Sequence, residues 1–395
     1  MQVQLPAAAD PSAPTPEGPG AGQSPPPRPT RAQIDLDALA HNLSVLRQVA
    51  HGSRVFAVVK ADAYGHGLVP VAKRLERERV DGLCVALAEE GLTLRAAGVT
   101  TPILVLNGAY GDAHARVVAA HLLPTVYSLD QIRAFDRVAV GTPVGVHLKV
   151  DTGMARLGVP LDELGAVLDG LEHMRGVRID GVMTHLSSAD TDARATEEQL
   201  ERFAAAVAMV RDRGHRPRLV HAANSAGTYG YPHAREDLVR AGISLYGVTP
   251  EHPEGGPMRV DAPALRPVMS VHTEVMALRT LPPGAPVGYD QTFRARRTTR
   301  VATVPIGYGD GLMRAASNRG AMLVGERVCP IIGRISMDLT TLDVTEVESC
   351  RVGDPVVLLG SQGGASLDAT DLARACDTIA YEVLTSISPR VPRNY

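Results

Sequence analysis

Lysine is scarce in this chain: of forty Lys plus Arg residues, only Lys60, Lys73 and Lys149 are lysines. A bias towards arginine removes lysine wherever any cation suffices. The survivors are therefore candidates for primary-amine chemistry, which a guanidinium cannot perform. Lys73, on an apparent surface helix, shows that a lysine can also survive by chance. Lys60 and Lys149 stand at the ends of apolar runs. A hydrophobic wall around such an amine lowers its pKa and makes it nucleophilic, as a Schiff-base lysine requires. A strand-end lysine that simply reaches solvent is the bland alternative. Two other run ends supply Asn224-Ser225 and Gly242-Ile243, a hydroxyl and backbone N–H groups without bulk, which suit a phosphate. A phosphate-bearing cofactor facing a Schiff-base lysine points to pyridoxal 5'-phosphate.

These groups need a scaffold that brings run ends together. After an opening helix from 36 to about 49, apolar runs at 55–60, 82–87, 102–107, 124–128, 144–150, 179–185, 219–225 and 239–246 alternate with amphipathic stretches such as 68–79, 162–174 and 196–213. Near-continuous apolar runs are expected of strands buried on both faces. Eight strand–helix units in succession predict a (β/α)8 TIM-type barrel, an α/β fold, with a doubly wound open sheet as the alternative. In such a barrel function gathers at the C-terminal strand ends, which here carry Lys60, Asn107, Lys149, Asp151, His185, Asn224, Ser225, Arg240 and Gly242. Beyond 264, Val- and Thr-rich segments of period two (272–278, 301–306, 355–359) predict a mainly β C-terminal domain. A last helix, capped near Ser366 or Asp368, is expected to run towards Tyr381.

The predicted organisation is a Pro/Ala/Gly-rich tail over 1–30, a barrel over 31–263 and a β domain over 264–395. The tail offers too little apolar surface to offset its ordering entropy and is expected to be disordered, with the folded protein starting near Arg31. It lacks the basic start and apolar block of a secretory signal. A net charge of −3 gives no basic face for nucleic acid, and no apolar run approaches a membrane span. Cys84, Cys329, Cys350 and Cys376 are scattered, with no CxxC pair. Neither a disulfide nor a metal site is expected, and reduced thiols fit a cytoplasmic protein.

The string Ala57-Val58-Val59-Lys60-Ala61-Asp62-Ala63-Tyr64-Gly65-His66-Gly67 resembles the signature of the alanine racemases. The likeness extends through His147-Leu148-Lys149-Val150-Asp151-Thr152-Gly153-Met154, Arg156-Leu157-Gly158, His221-Ala222-Ala223-Asn224-Ser225 and Arg240-Ala241-Gly242-Ile243. Beyond the barrel it continues in Gly288-Tyr289, Pro305-Ile306-Gly307-Tyr308 and Gly333-Arg334-Ile335-Ser336-Met337-Asp338.

The resemblance implies an isomerase that interconverts L- and D-alanine by a two-base, pyridoxal-phosphate-dependent mechanism and supplies D-alanine for peptidoglycan. It implies a homodimer with shared active sites. Lys60 would hold the cofactor and act on the D-enantiomer. Tyr289 would be the base for the L-enantiomer, reaching across from the other subunit. A tyrosine with an ordinary pKa near ~10 needs cationic help to act as a base at neutral pH. His185 and Arg240 match the residues that give it. Arg240 would face the pyridine nitrogen, where decarboxylases of similar architecture place an acid. Tyr64, Ser225, Gly242 and Ile243 match phosphate contacts. Arg156 and the backbone of Met337 match the groups holding the substrate carboxylate. Lys149 matches a lysine that is carbamylated in many members and braces Arg156. Asp338 is carried over too, with a turn or capping acid as its alternative.

Three positions depart from the family pattern. Ala155 replaces a frequent glycine, Ser336 a frequent cysteine, and Pro389 a tyrosine that in some members contacts the phosphate. The rival readings are a broad-specificity racemase, a decarboxylase of the same architecture, and a non-catalytic pyridoxal-phosphate carrier.

Overall fold

The computed structural model describes residues 28–253, 255, 256, 258 and 261–395. The tail expected over 1–30 lies outside the described residues as far as 27. Its last three residues are packed, so the ordered chain includes residues before Arg31. Thr30 is fully buried and its hydroxyl donates to the carbonyl of Pro305 at 2.6 Å.

The eight apolar runs form eight parallel strands. In ladder order they are Leu238–Ala241, Arg54–Val58, Gly82–Val85, Ile103–Val105, Leu123–Val126, Val144–Asp151, Val177–Met183 and Leu219–His221. Backbone bonds from Asp237 N to Val220 O (3.1 Å) and from Arg240 N to Ala223 O (3.0 Å) close the first edge on the last. The barrel prediction therefore stands, and the open sheet does not. Leu83, Cys84, Val85, Ile103, Leu104 and Val105 have no exposed surface, because helices cover the faces that point away from the barrel axis. Those helices include Leu36–Ala50, Leu68–Arg77, Leu164–Leu171 and Ala193–Asp212.

The β region is built round a sheet ordered Arg327–Pro330, Ala321–Val324, Pro355–Gln362, Met269–Glu274, Arg31–Ile34, Arg393–Asn394. The strand Arg31–Ile34 thus pairs antiparallel with Met269–Glu274 and lies outside the barrel, which corrects the boundary expected at 31. The run at 272–278 splits into Met269–Glu274 and Ala277–Leu281, which serve different sheets. Met269–Glu274 alternates buried and half-buried residues, the pattern of a strand with one face on the core. The expected last helix is two. Asp368 caps Ala369–Cys376, the chain breaks at Asp377 with φ +58°, and Ala380–Ser386 follows. Among the described residues no helix is long and apolar enough to cross a membrane.

Candidate active site

Lys60 follows the strand Arg54–Val58 at the C-terminal mouth of the barrel. The next four residues, Ala61 to Tyr64, are non-glycine yet hold φ between +52° and +54°, a left-handed turn. Each such residue costs about 1–2 kcal/mol relative to right-handed geometry, so the surroundings must impose it. Glu90 does so at one end. One carboxylate oxygen accepts the Ala61 N–H at 2.6 Å, and the other accepts those of Ala86 (2.8 Å) and Leu87 (3.1 Å). Asp62 accepts the Leu68 N–H at 2.7 Å. At Gly65 (φ +80°) any side chain would strike the Leu384 carbonyl, so the turn is also wedged against the helix Ala380–Ser386.

Lys60 opens into a cavity of about 710 Å³ that also gathers Tyr64, Arg156, His185, Asn224, Ser225, Arg240 and Gly242. Burial first, and Arg156 second, lower the Lys60 pKa, which raises the share of neutral, nucleophilic amine. Opposite it, the Ser225 hydroxyl accepts the N–H groups of Gly242 (3.0 Å) and Ser244 (3.3 Å). A Cβ at Gly242 would lie 2.7 Å from the Tyr64 hydroxyl oxygen and 3.9 Å from that of Ser225. Its absence leaves a cradle between two hydroxyls, and the buried Ser244 hydroxyl beside it has no hydrogen-bond partner. The cradle suits a phosphate. Ile243, which follows Gly242, is buried at the start of the turn Ile243–Tyr246.

Arg240 is the buried floor of the cavity. One terminal nitrogen donates to His221 Nδ1 (2.7 Å) and to the His221 carbonyl (3.2 Å). The other donates to the carbonyls of Thr184 and Ala222, both at 2.8 Å, and lies 3.4 Å from His185 Nδ1. Nε has no partner among the described residues, which leaves one fixed N–H donor for a ring nitrogen. Burial lowers the Arg240 pKa to about 10, so the group is still a cation at neutral pH. The same burial, with the charge of Arg240 next, drives His185 well below its ordinary value. The neutral ring of His185 is therefore the favoured form. Lys149 is buried among these cations and its pKa falls to about 8, through burial first and Arg240 second.

The loop bearing Arg156 is folded by Asp151, one oxygen of which accepts the N–H groups of Gly153 (2.9 Å), Met154 (2.9 Å) and Ala155 (3.1 Å). Ala155 has φ +54°, a conformation that favours glycine. Tyr289, Met337 and Asp338 do not line the Lys60 cavity of their own chain. Tyr289 is 68% exposed, on a turn held by Arg334 donating to Asp290 at 2.7 Å. Met337 is 52% exposed, and its N–H donates to no described atom. Asp338 accepts from Arg390 at 2.7 Å, an ion pair rather than a turn or cap contact.

The profile described as "Alanine racemase, N-terminal domain" matches residues 34–250, and "Alanine racemase, C-terminal domain" matches 268–395. The alanine racemase of Sorangium cellulosum is 47% identical over 93% of this chain and 99% of its own length. That of Geobacter sulfurreducens is 40% identical, over 93% and 97% respectively. The chain belongs to the alanine racemase family. Among solved structures, the alanine racemase of Streptomyces lavendulae superposes with TM-score 0.86 at 35% identity, covering 94% of this chain and 98% of its own. The biosynthetic alanine racemase of Pseudomonas aeruginosa gives 0.83 at 36%, covering 93% and 99%.

Several residues outside the predicted set also shape the site. Glu90 holds the backbone beside Lys60. His147 accepts at Nδ1 from His221 Nε2 at 2.9 Å beneath Arg240. His147 lies two residues before Lys149 on one strand, so period two alone puts both on one face. Tyr381 also lines the cavity, its ring 5.9 Å from that of Tyr64, whereas Pro389 does not.

Proposed function

We propose that this protein interconverts L- and D-alanine with two bases, Lys60 and Tyr289, on opposite faces of the substrate's α-carbon. One observation carries the reading. A lysine of lowered pKa faces a two-hydroxyl cradle across a cavity whose floor is an arginine with an unclaimed Nε–H. The residues fit pyridoxal 5'-phosphate: Tyr64, Ser225, Gly242 and Ile243 would hold its phosphate, Arg240 would donate to its ring nitrogen, and the Lys60 amine would carry it. When bound, that cofactor supplies an electron sink that acidifies the α-proton.

The chain's own residues do the rest. Lys60 takes or returns the proton on one face. Arg156 and the Met337 N–H hold the substrate carboxylate. Arg240 can only donate, so it would hold a ring nitrogen in its unprotonated form. His185 presents a neutral ring beside Arg240. Lys149, partly neutral at about pKa 8, has the free amine that carbamylation requires, and a carbamate there would be an anion bracing Arg156.

Tyr289 is the second base, supplied by the other subunit of a homodimer. Its exposure and its place outside the Lys60 cavity of its own chain support that assembly. In this reading the pyridoxal-phosphate domain comprises the barrel, and the β domain beyond 264, with Arg31–Ile34, supplies Tyr289 and Met337 to the partner.

Chiral chromatography of L-alanine incubated with the protein and pyridoxal phosphate tests the reading. D-alanine should accumulate to an equal mixture, with slower conversion of L-serine and L-arginine. Comparable rates for all three would favour the broad-specificity rival. Carbon dioxide in place of D-alanine would favour the decarboxylase, and no product the carrier.

A further inference from the structure

The peptide joining Ser336 to Met337 is fixed from one side only. Its carbonyl accepts the Tyr308 N–H at 3.0 Å, and the next carbonyl, of Met337, accepts the Gly309 N–H at 2.8 Å. In a planar trans peptide the N–H points opposite to the C=O. Pinning both carbonyls against the turn at 307–311 therefore aims the Met337 N–H away from it, towards the surface. The aim of that N–H is inherited from the turn.

The turn is in turn held by a buried carboxylate. Asp310 has no exposed surface, and one of its oxygens accepts the Gly307 N–H at 3.0 Å. The other receives Arg28 at 2.7 Å, with Arg390 at 3.4 Å. Arg390 is already engaged with Asp338 at 2.7 Å, and its carbonyl accepts a second Arg28 donor at 2.8 Å. The Ser388 hydroxyl closes the group on the Gly309 carbonyl at 3.0 Å. Arg28 thus gives the buried carboxylate its nearest counter-charge, and through the Arg390 carbonyl it ties the segment after the helix Ala380–Ser386 to the same turn. A buried carboxylate deprived of its partner is costly and is relieved by moving or by admitting water. Movement of Asp310 would shift Gly307, Tyr308 and Gly309 together.

We propose that Arg28, at the head of the described chain and outside the cavity, is a positioning residue for the substrate carboxylate, acting through Asp310 and the Tyr308–Gly309 amides on the Met337 N–H. The inference rests on the reading above, in which that N–H meets the carboxylate of alanine. The N-terminal segment is then part of the substrate site's support from Arg28 onward.

The test is steady-state kinetics on the full chain with pyridoxal phosphate, for the wild type, Arg28→Ala, Arg28→Lys, Asp310→Asn and the double variant Arg28→Ala with Asp310→Asn. A carboxylate contact made equally in ground and transition states affects KM rather than kcat. Arg28→Ala should therefore raise KM for alanine roughly 5-fold or more and keep kcat within about 2-fold, the scale of one weakened hydrogen bond to a charged group. Arg28→Lys should recover most of the loss. In the Asp310→Asn background, removing Arg28 should add little, because the charge it answers is gone. An unchanged KM in Arg28→Ala, or a fall in kcat at constant KM, would overturn the proposal. So would equal effects of Arg28→Ala in both backgrounds. Absence of alanine racemisation in the wild type itself would instead remove the underlying reading, and this inference with it.

Discussion

The guanidinium of Arg240 donates to Nδ1 of His221 at 2.7 Å. Arginine has no acceptor, so Nδ1 of His221 must carry a lone pair and its Nε2 the proton. That Nε2–H donates to Nδ1 of His147 at 2.9 Å, which sets the tautomer of His147 as well. A single fixed cation thus orders two neutral imidazoles behind it, and a proton on either would face that cation.

The consequence is a stability that falls in acid. Burial holds His147 at about 4 and His185 and His221 well below 6.5. Between those values and 6.5 the unfolded chain binds protons that the folded chain refuses, so the stability is complete above pH 6.5. It is lost as pH falls, down to about 4 for His147. Each histidine contributes about 1.4 kcal/mol per pH unit in that window. Urea midpoints between pH 7 and 5 should decline steeply, and His221→Asn should reduce the slope by about one proton. An unchanged slope would mean that His221 is already charged in the fold.

Arg240→Glu should slow racemisation by two or more orders of magnitude and raise the share of turnovers that end in transamination. An acid at the ring nitrogen would let that nitrogen be protonated, so charge spreads into the ring and the proton can return at the wrong carbon. Pyruvate released per racemisation event measures the effect. Racemisation at the wild-type rate would show that Arg240 does not face the ring nitrogen.

Ala61 begins the left-handed turn after Lys60 with φ +52° and is exposed. Glycine tolerates that backbone freely but loses more entropy on folding, so Ala61→Gly should stabilise the protein by about 0.5–1 kcal/mol. Urea unfolding reads the difference. A loss of about 1 kcal/mol instead would mean that the turn carries no strain at Ala61.

The barrel could be read in advance because parallel strands covered on both faces leave long apolar runs, as at 82–87 and 102–107, and because helices of clear amphipathicity separate them. Strand ends then pointed to Lys60, Ser225, Arg240 and Gly242, which do meet in one cavity. The turn at 61–64 gave no signal, since its backbone is dictated by Glu90 and by the packing of Gly65 on Leu384 rather than by glycine or asparagine in the turn itself. The placement of Arg31–Ile34 in the distant sheet was equally hidden, because partners as remote in sequence as Ala32 and Val271 leave no local pattern. Asp377 broke the last helix through a left-handed C-cap, for which glycine would have been the visible marker.

Tyr289 lies outside the Lys60 cavity of its own chain, and two-base catalysis requires the two residues to meet across two chains. Lys60→Ala and Tyr289→Phe homodimers should each be nearly inactive. In a mixed dimer, one site combines the intact Lys60 of one chain with the intact Tyr289 of the other, and the second site lacks both. Random reassortment of equal amounts makes about half the dimers mixed, so activity after subunit exchange should recover to roughly a quarter of wild type. Verified exchange with no gain over the separate variants would contradict a site shared between subunits and leave Tyr289 without the role of second base.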